Sequence, residues 1–191
     1  LTDCIAQFRE KHPLVRFEIY SGNAGNIRDR IESGLLDVGL MSEPIDIRKY
    51  DFITMPVKEQ WGALVTNACP LAEKEFLRPL DLVDIPLISA VGEFMESNVG
   101  KWLGEYAAQV NIIAKGNLLY NEAMLAQSNI GAVIGIRLNC RYDGLQFIPF
   151  SPALTNDTAL AWKKEQIFSA VTTAFLDFAK KYLKDISVDK L

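Results

Sequence analysis

Histidine is almost missing from this chain of 191 residues, with His12 the only one. That scarcity removes the usual general base and the commonest metal ligand together, and His12 itself stands at a predicted helix end with no catalytic partner near it in sequence. Cysteine is also sparse. Cys4, Cys69 and Cys140 are odd in number, widely separated and without a CxxC spacing, which argues against a zinc site and a disulfide framework and fits a reducing, cytoplasmic compartment. There is no G-x-S-x-G elbow, no HExxH and no conspicuous acidic pair, so neither an enzyme nor a bound cofactor is expected. No apolar run approaches the roughly 18 residues of a membrane span. An excess of basic charge is missing too. Lysine and arginine number 20 against 24 acidic residues, a net charge of -4, and no basic cluster is present to neutralise phosphates. The chain alone is therefore not expected to grip DNA. The triplet Asn156-Asp157-Thr158 matches a glycosylation acceptor, but so short a pattern recurs by chance. The first residues read as an amphipathic segment and not a signal sequence, so the chain is expected to be a piece of a longer protein.

What is present is a globular composition, 49% hydrophobic and 23% charged, organised around Val15 to Met41. Val15, Phe17 and Ile19 alternate with Arg16, Glu18 and Tyr20, the pattern of an edge strand with one buried face. The turn Ser21-Gly22-Asn23-Ala24-Gly25-Asn26 suits a helix start with several exposed N-H groups. Ile27, Ile31 and Leu35 recur at helical spacing, Gly34 supplies a stop, and Leu36, Val38 and Leu40 alternate in a following strand. The whole reads as a βαβ unit, and in open parallel sheets ligands sit outside the carboxyl ends of the strands, where this turn lies. The G-N-A-G pattern lacks the third glycine of a dinucleotide fingerprint and the Gly-Lys-Ser/Thr of a phosphate loop, so a nucleotide is disfavoured, and a plain structural turn stays open.

On either side the same alternation continues. Cys4, Ile5 and Phe8 share a face of a helix ending near His12-Pro13, and Phe52 to Met55 is a short strand. A second series begins at Trp61 to Thr66, followed by a helical segment from Pro79 to Val83 and the strand Ile85 to Ala90. Met95, Val99, Trp102, Leu103 and Tyr106 predict one helix, Asn111 to Lys115 a strand, Leu118, Glu122 and Leu125 another helix, and Ile130 to Gly135 a further strand. Leu145 to Phe150 and Thr158 to Trp162 read as strands. Phe168, Val171, Phe175, Phe178 and Tyr182 form an apolar stripe on a final helix. Ser89 and Asn117 fall just past strand ends; each either caps a helix or contacts a ligand. Arg137 either meets an anion or is solvated.

The text YSGNAGNIRDRIESGLLDVGL, then CPLAEKEFLRPLDLVDIPLI and SNIGAVIG, closely resembles the effector-binding domain of LysR-type transcriptional regulators along essentially the whole chain. The residues that carry the likeness are Gly22, Gly34, Leu36 and Asp37, then Pro70, Leu71, Leu80, Asp81, Leu82, Pro86, Leu87 and Ile88, and Gly131. The resemblance implies an α/β fold of the type 2 periplasmic-binding-protein kind, with two Rossmann-like subdomains joined by two crossover strands. Subdomain I would comprise residues 1-58 and 158-191 and subdomain II residues 59-157, with the N-terminal winged helix-turn-helix outside this chain. The family's first strand, which ends in a pocket-lining serine or threonine, would precede Leu1. Asn139-Cys140 departs from relatives that carry a proline-ended strand there.

Carried over by position, the family's pocket points to Ser21, Gly22, Asn23, Ser89, Ala90, Asn117, Gly135 and Ile136. They would bind a small effector of polar or anionic character in the interlobe cleft. The resemblance also implies a homodimer or tetramer, with the helix Thr2 to Lys11 and strand Val15 to Tyr20 facing Glu93 to Gln109 and Asn111 to Lys115 of a second copy, although Trp102 could instead be internal core. DNA would be reached only through the missing N-terminal domain. A solute-binding protein of a transporter shares the fold and is the alternative reading.

Overall fold

A computed structural model describes residues 1-42, 45-46, 48-90, 97-138 and 140-188. The chain divides into two units, Leu1-Lys58 with Asp157-Leu191, and Glu59-Asn156.

The first unit is a sheet between helices. Its three strands, β1 (Gly39-Ser42), β2 (Tyr50-Thr54) and β9 (Thr158-Lys163), lie in the order β1-β9-β2, with β9 antiparallel to both neighbours. Ala159, Leu160 and Ala161 of the central strand are completely buried, as expected of a strand covered on both faces. On one face pack α1 (Thr2-Lys11) and α5 (Ala170-Val188). Cys4 and Phe8, one turn apart on α1, meet Phe175 and Ala179, one turn apart on α5, over Leu160. The Phe8 ring lies 5.3 Å from that of Phe175 and 5.5 Å from that of Phe178. On the other face α2 (Ala24-Glu32) buries Ile27 and Ile31 against Met41, Tyr50 and Ala161. Gly34 ends α2 with φ +72°, the left-handed backbone expected of its stop.

One expected strand is not formed. Val15 to Tyr20 takes no regular secondary structure and joins no ladder among the described residues. Val15, Phe17 and Ile19 line a cavity of about 370 Å³ together with Leu36 and Val38 of the segment leading into β1. Phe17 is held instead by aromatic packing, its ring 5.2 Å from Phe175. The βαβ unit is thus only partly built. Its second strand begins at Gly39. Val171, expected in the apolar stripe, is 49% exposed because it lines that same cavity.

In the second unit a mixed sheet runs in the order β5-β4-β6-β3-β7. Here β4 (Pro86-Ala90) pairs in parallel with β5 (Asn111-Gly116) and β6 (Ala132-Ile136), while β3 (Glu59-Thr66) is antiparallel to β6 and to β7 (Leu145-Pro149). The start of β3 also pairs with β8 (Thr155-Asn156), so the strand entering this unit lies beside the one leaving it. One face of the sheet packs Val65, Leu77, Leu82, Leu87, Leu103 and Ile134; the other packs Leu64, Ile88 and Val133 against Ala123 and Ala126 of α4 (Leu119-Gln127). Each large side chain so buried contributes roughly 1.5 to 3 kcal/mol.

The helix expected from Met95 to Tyr106 is broken. The described part is α3 (Asn98-Leu103), which stops at Gly104, φ +56°, and gives way to a 3-10 turn through Ala108; Glu93 and Met95 lie outside the described residues, as does Asn139. Trp102 stacks on Phe150 at 4.1 Å and donates its Nε1-H to the Pro152 carbonyl at 2.7 Å, so it belongs to this unit's own packing.

Candidate functional site

In the first unit the polar turn after Tyr20 becomes the start of α2. Asn23 is its N-cap, with backbone in the extended region, and Oδ1 accepts the Asn26 N-H at 2.9 Å. The capping oxygen is thereby engaged, and the leading N-H groups of the helix remain without an intrahelical acceptor, at its positive end. Ser21 is exposed. Gly22 has little room: a Cβ there would lie 3.0 Å from both Asn26 Cβ and Tyr20 Cε1. Tyr20 is in turn covered by the Arg30 guanidinium, 3.9 Å from its ring centroid, which ties the preceding segment to the helix.

Beside this helix start opens a cavity of about 220 Å³ lined by Ala24, Arg28, Ser42, Asp46, Lys49 and Tyr50. Arg28 and Lys49 bring two cations to it. Asp46 is occupied by Arg48, whose Nε and backbone N-H donate to Oδ1, each at 3.0 Å, and these bonds hold its carboxyl below the usual range. Tyr50 donates to Glu32 Oε1 at 2.6 Å, and burial together with that bond pushes its hydroxyl up to about 12, so it stays a neutral donor. Helix start and cations together favour an anion.

In the second unit the register gathers the remaining candidates. Ser89 pairs with Lys115 and Ala90 with Gly116, which sets Ser89, Ala90 and Asn117 together at the carboxyl ends of β4 and β5; Gly135 and Ile136 end the neighbouring parallel strand β6. Ser89 is buried, whereas Ala90 and Asn117 are exposed. The capping role open to Asn117 is not taken: Leu118 occupies the N-cap of α4, with no side-chain cap bond. Gly135 faces Gly62 across the β3-β6 ladder, and Leu119 Cδ1 lies 2.8 Å from where a Gly135 Cβ would be. Arg137 places its guanidinium 5.9 Å from the Phe147 ring centroid, an exposed packing role. The predicted residues therefore form two groups, Ser21 to Asn23 in one unit and Ser89 to Ile136 in the other.

Several residues at these places were not singled out in the sequence. Arg28, Ser42, Lys49 and Tyr50 are joined only by the tertiary fold, so no local pattern marks them. Glu122 did carry a signal, a carboxyl on the apolar face of α4 with Leu118 and Leu125 as neighbours in the pattern. It is 3% exposed, and burial raises its pKa above the ordinary 4.5.

Among the described residues, no group of three or more His, Cys, Asp or Glu is placed to hold a metal ion. His12 rests its ring on Phe8, with the ring centroids 4.4 Å apart. Cys4 is buried, which pushes its thiol up and away from reactivity, and Cys69 and Cys140 are free. No described helix is long and apolar enough to cross a membrane.

Comparison with known proteins gives a consistent set of likenesses. The model of the LysR substrate binding domain matches residues 1-184. An uncharacterized HTH-type transcriptional regulator, YwbI of Bacillus subtilis (strain 168), is 23% identical over 190 residues, which are 97% of this chain and 63% of that protein. The chain thus spans less than two thirds of that relative. Among solved structures, the effector binding domain of QuiR in complex with shikimate superimposes with a TM-score of 0.83 at 18% identity, covering 96% of this chain and 90% of that one. The Synechocystis PCC6803 CcmR regulatory domain in complex with 2-PG gives 0.73 at 16% identity with the same coverages. HinK, a LysR family transcriptional regulator from Pseudomonas aeruginosa, gives 0.73 at 19%, covering 96% of this chain and 65% of that chain.

Proposed function

Because this chain belongs to the LysR substrate binding domain family, we propose that it is the ligand-sensing part of a DNA-binding transcription regulator and binds a small polar or anionic effector. The observation that carries this reading is chemical. A capped helix start beside Arg28 and Lys49 in one unit, and Ser89 and Asn117 at parallel strand ends in the other, supply anion-binding and hydrogen-bonding groups without a nucleophile or a base. The effector site comprises Ser21, Gly22, Asn23, Ser89, Ala90, Asn117, Gly135 and Ile136, and the residues that the sequence did not mark, Arg28 above all, extend it. The chain acts as a sensor and not as an enzyme, in the cytoplasm, within a homodimer or tetramer. DNA contact belongs to the rest of the regulator, since the net charge of -4 here, without a basic cluster, disfavours a polyphosphate backbone.

The likeness to transporter solute-binding proteins is at the level of fold. The family match over residues 1-184 favours the regulator. Relatives of similar fold bind shikimate and 2-PG, so these two anions head a metabolite screen by thermal shift, where a ligand at 100 times its dissociation constant stabilises by roughly 2.7 kcal/mol. With a ligand in hand, Asn23→Ala and Asn117→Ala each weaken it by roughly 1.5 to 3 kcal/mol if they bond a charged group. Unchanged affinity in both variants, measured by titration calorimetry, assigns them to the fold alone and removes them from the site.

A further inference from the structure

We propose that Glu122 is a specificity-determining residue of the effector site, and that the effector it selects is an amino or hydroxy acid whose ammonium or hydroxyl group meets the Glu122 carboxyl. This rests on the effector-sensing reading above. Glu122 lies in the first turn of α4, 3% exposed, next to Ala123, which packs on the sheet. Its carboxyl is aimed over the end of β5: a Cβ on Gly116 would fall 2.7 Å from both Glu122 Cγ and Oε1. Gly116 pairs with Ala90 and adjoins Asn117, so the carboxyl sits among the residues assigned to the effector.

No hydrogen bond or ion pair from a described residue reaches that carboxyl, and its oxygens are not sealed from solvent. A structural glutamate at this depth would be expected to have an arginine, a lysine or a run of backbone N-H groups, because a buried carboxylate without partners is costly. A bound ligand supplies the partner. An ammonium gives it a counter-ion and a hydroxyl gives it a hydrogen bond, whereas a ligand lacking both leaves the carboxyl buried and unpaired, the asymmetry that makes polar sites discriminate strongly. The acid half of the same molecule follows from the anionic effector proposed above. The raised pKa of Glu122 agrees with a carboxyl awaiting such a partner.

The test is titration calorimetry of the whole chain with matched series: the standard amino acids, their α-hydroxy analogues and the corresponding carboxylates with neither group. In the series that fits the site, a donor-bearing member should bind roughly tenfold or more tightly than its donor-free counterpart. Glu122→Leu should erase that preference. Glu122→Gln should erase it for the amino acid and keep much of it for the hydroxy acid, because the amide still accepts a hydrogen bond but carries no charge. Gly116→Ala, which leaves Glu122 in place but pushes its flexible end aside, should reproduce part of the loss. Equal binding of donor-bearing and donor-free members, or a preference that survives Glu122→Leu in a folded protein, overturns the inference while leaving the sensor reading intact. A parent chain that binds no member of any series overturns it as well. Failure of the sensor reading shows separately, as a metabolite screen without any ligand.

Discussion

The second unit surrounds β4 with paired strands on both sides, whereas the first holds three strands among the described residues and leaves Val15 to Tyr20 outside its sheet, lining a cavity. Val15 to Tyr20 alternates apolar and polar residues as a half-buried strand would, whereas β4 buries three residues in a row. The difference shows that alternation prepares a face for burial but does not make a ladder: a ladder needs a neighbouring backbone within hydrogen-bonding distance, and β4 has one on each side. The first unit compensates with aromatic packing, Phe8, Phe17, Phe175 and Phe178 forming one cluster at centroid distances of 5.2 to 6.2 Å.

That contrast breaks most readily at Phe8. Phe8→Ala removes the centre of the aromatic cluster and should cost about 3 to 5 kcal/mol, read as lost hydrogen-exchange protection in α1, β9 and α5 with β4 to β6 still protected. Equal loss in both units would mean that they unfold as one. Leu87→Ala, completely buried in β4, is the mirror experiment. It should cost about 2 to 5 kcal/mol and expose the second unit first. Tyr50→Phe removes the 2.6 Å bond to Glu32 and should cost roughly 1 kcal/mol in chemical denaturation, because Lys163 still pairs with Glu32 at 3.3 Å.

The smallest effect is one of pH. Burial raises Glu122 above its ordinary 4.5, so the folded protein binds this proton more tightly than the unfolded chain. Stability therefore falls as pH climbs from 4.5 to the raised folded value and is level above it. Glu122→Gln has no such proton to lose. Its melting temperature should vary less across that window and exceed the parent's above it. Glu59, raised by burial as well, leaves a residual slope of the same sign. A variant whose pH profile superimposes on the parent's would show that Glu122 titrates normally.

Much of the fold was legible locally. Strong alternation and helical spacing found α1, α2, β3 to β7 and β9 within a few residues, since each is bounded by Gly, Pro or a polar cap. Boundaries failed where a distant neighbour decided the outcome. Val15 to Tyr20 has the right residues but no paired partner. The run from Val99 to Tyr106 has helical spacing, yet Gly104 takes a positive φ that turns the chain out of α-helix. Of the candidate site, the helix start at Asn23 could be read from the turn chemistry of Ser21 to Asn26. The cavity walls contributed by Ser42, Lys49 and Tyr50 come from segments 18 to 26 positions away from Ala24 in the sequence and meet it only in three dimensions. Glu122 was visible as an acid in an apolar pattern, but a pattern alone does not say that nothing pairs with it.

Gly135, paired with Gly62 across the ladder, hollows the sheet where Leu119 enters, and that hollow works as a bearing. Leu119 is the first residue of α4, so its seat sets the height of the helix above the sheet and, through it, the positions of Asn117 and Glu122 on either side. A Cβ on Gly135 would lie 2.8 Å from Leu119 Cδ1, so the end of that side chain must give way, and whatever part of the shift reaches the helix start moves the two polar groups with it. Gly135→Ala is in that sense an adjustment of gear: it would alter how a ligand is gripped by displacing the helix that carries the grip, without adding or removing a single polar atom.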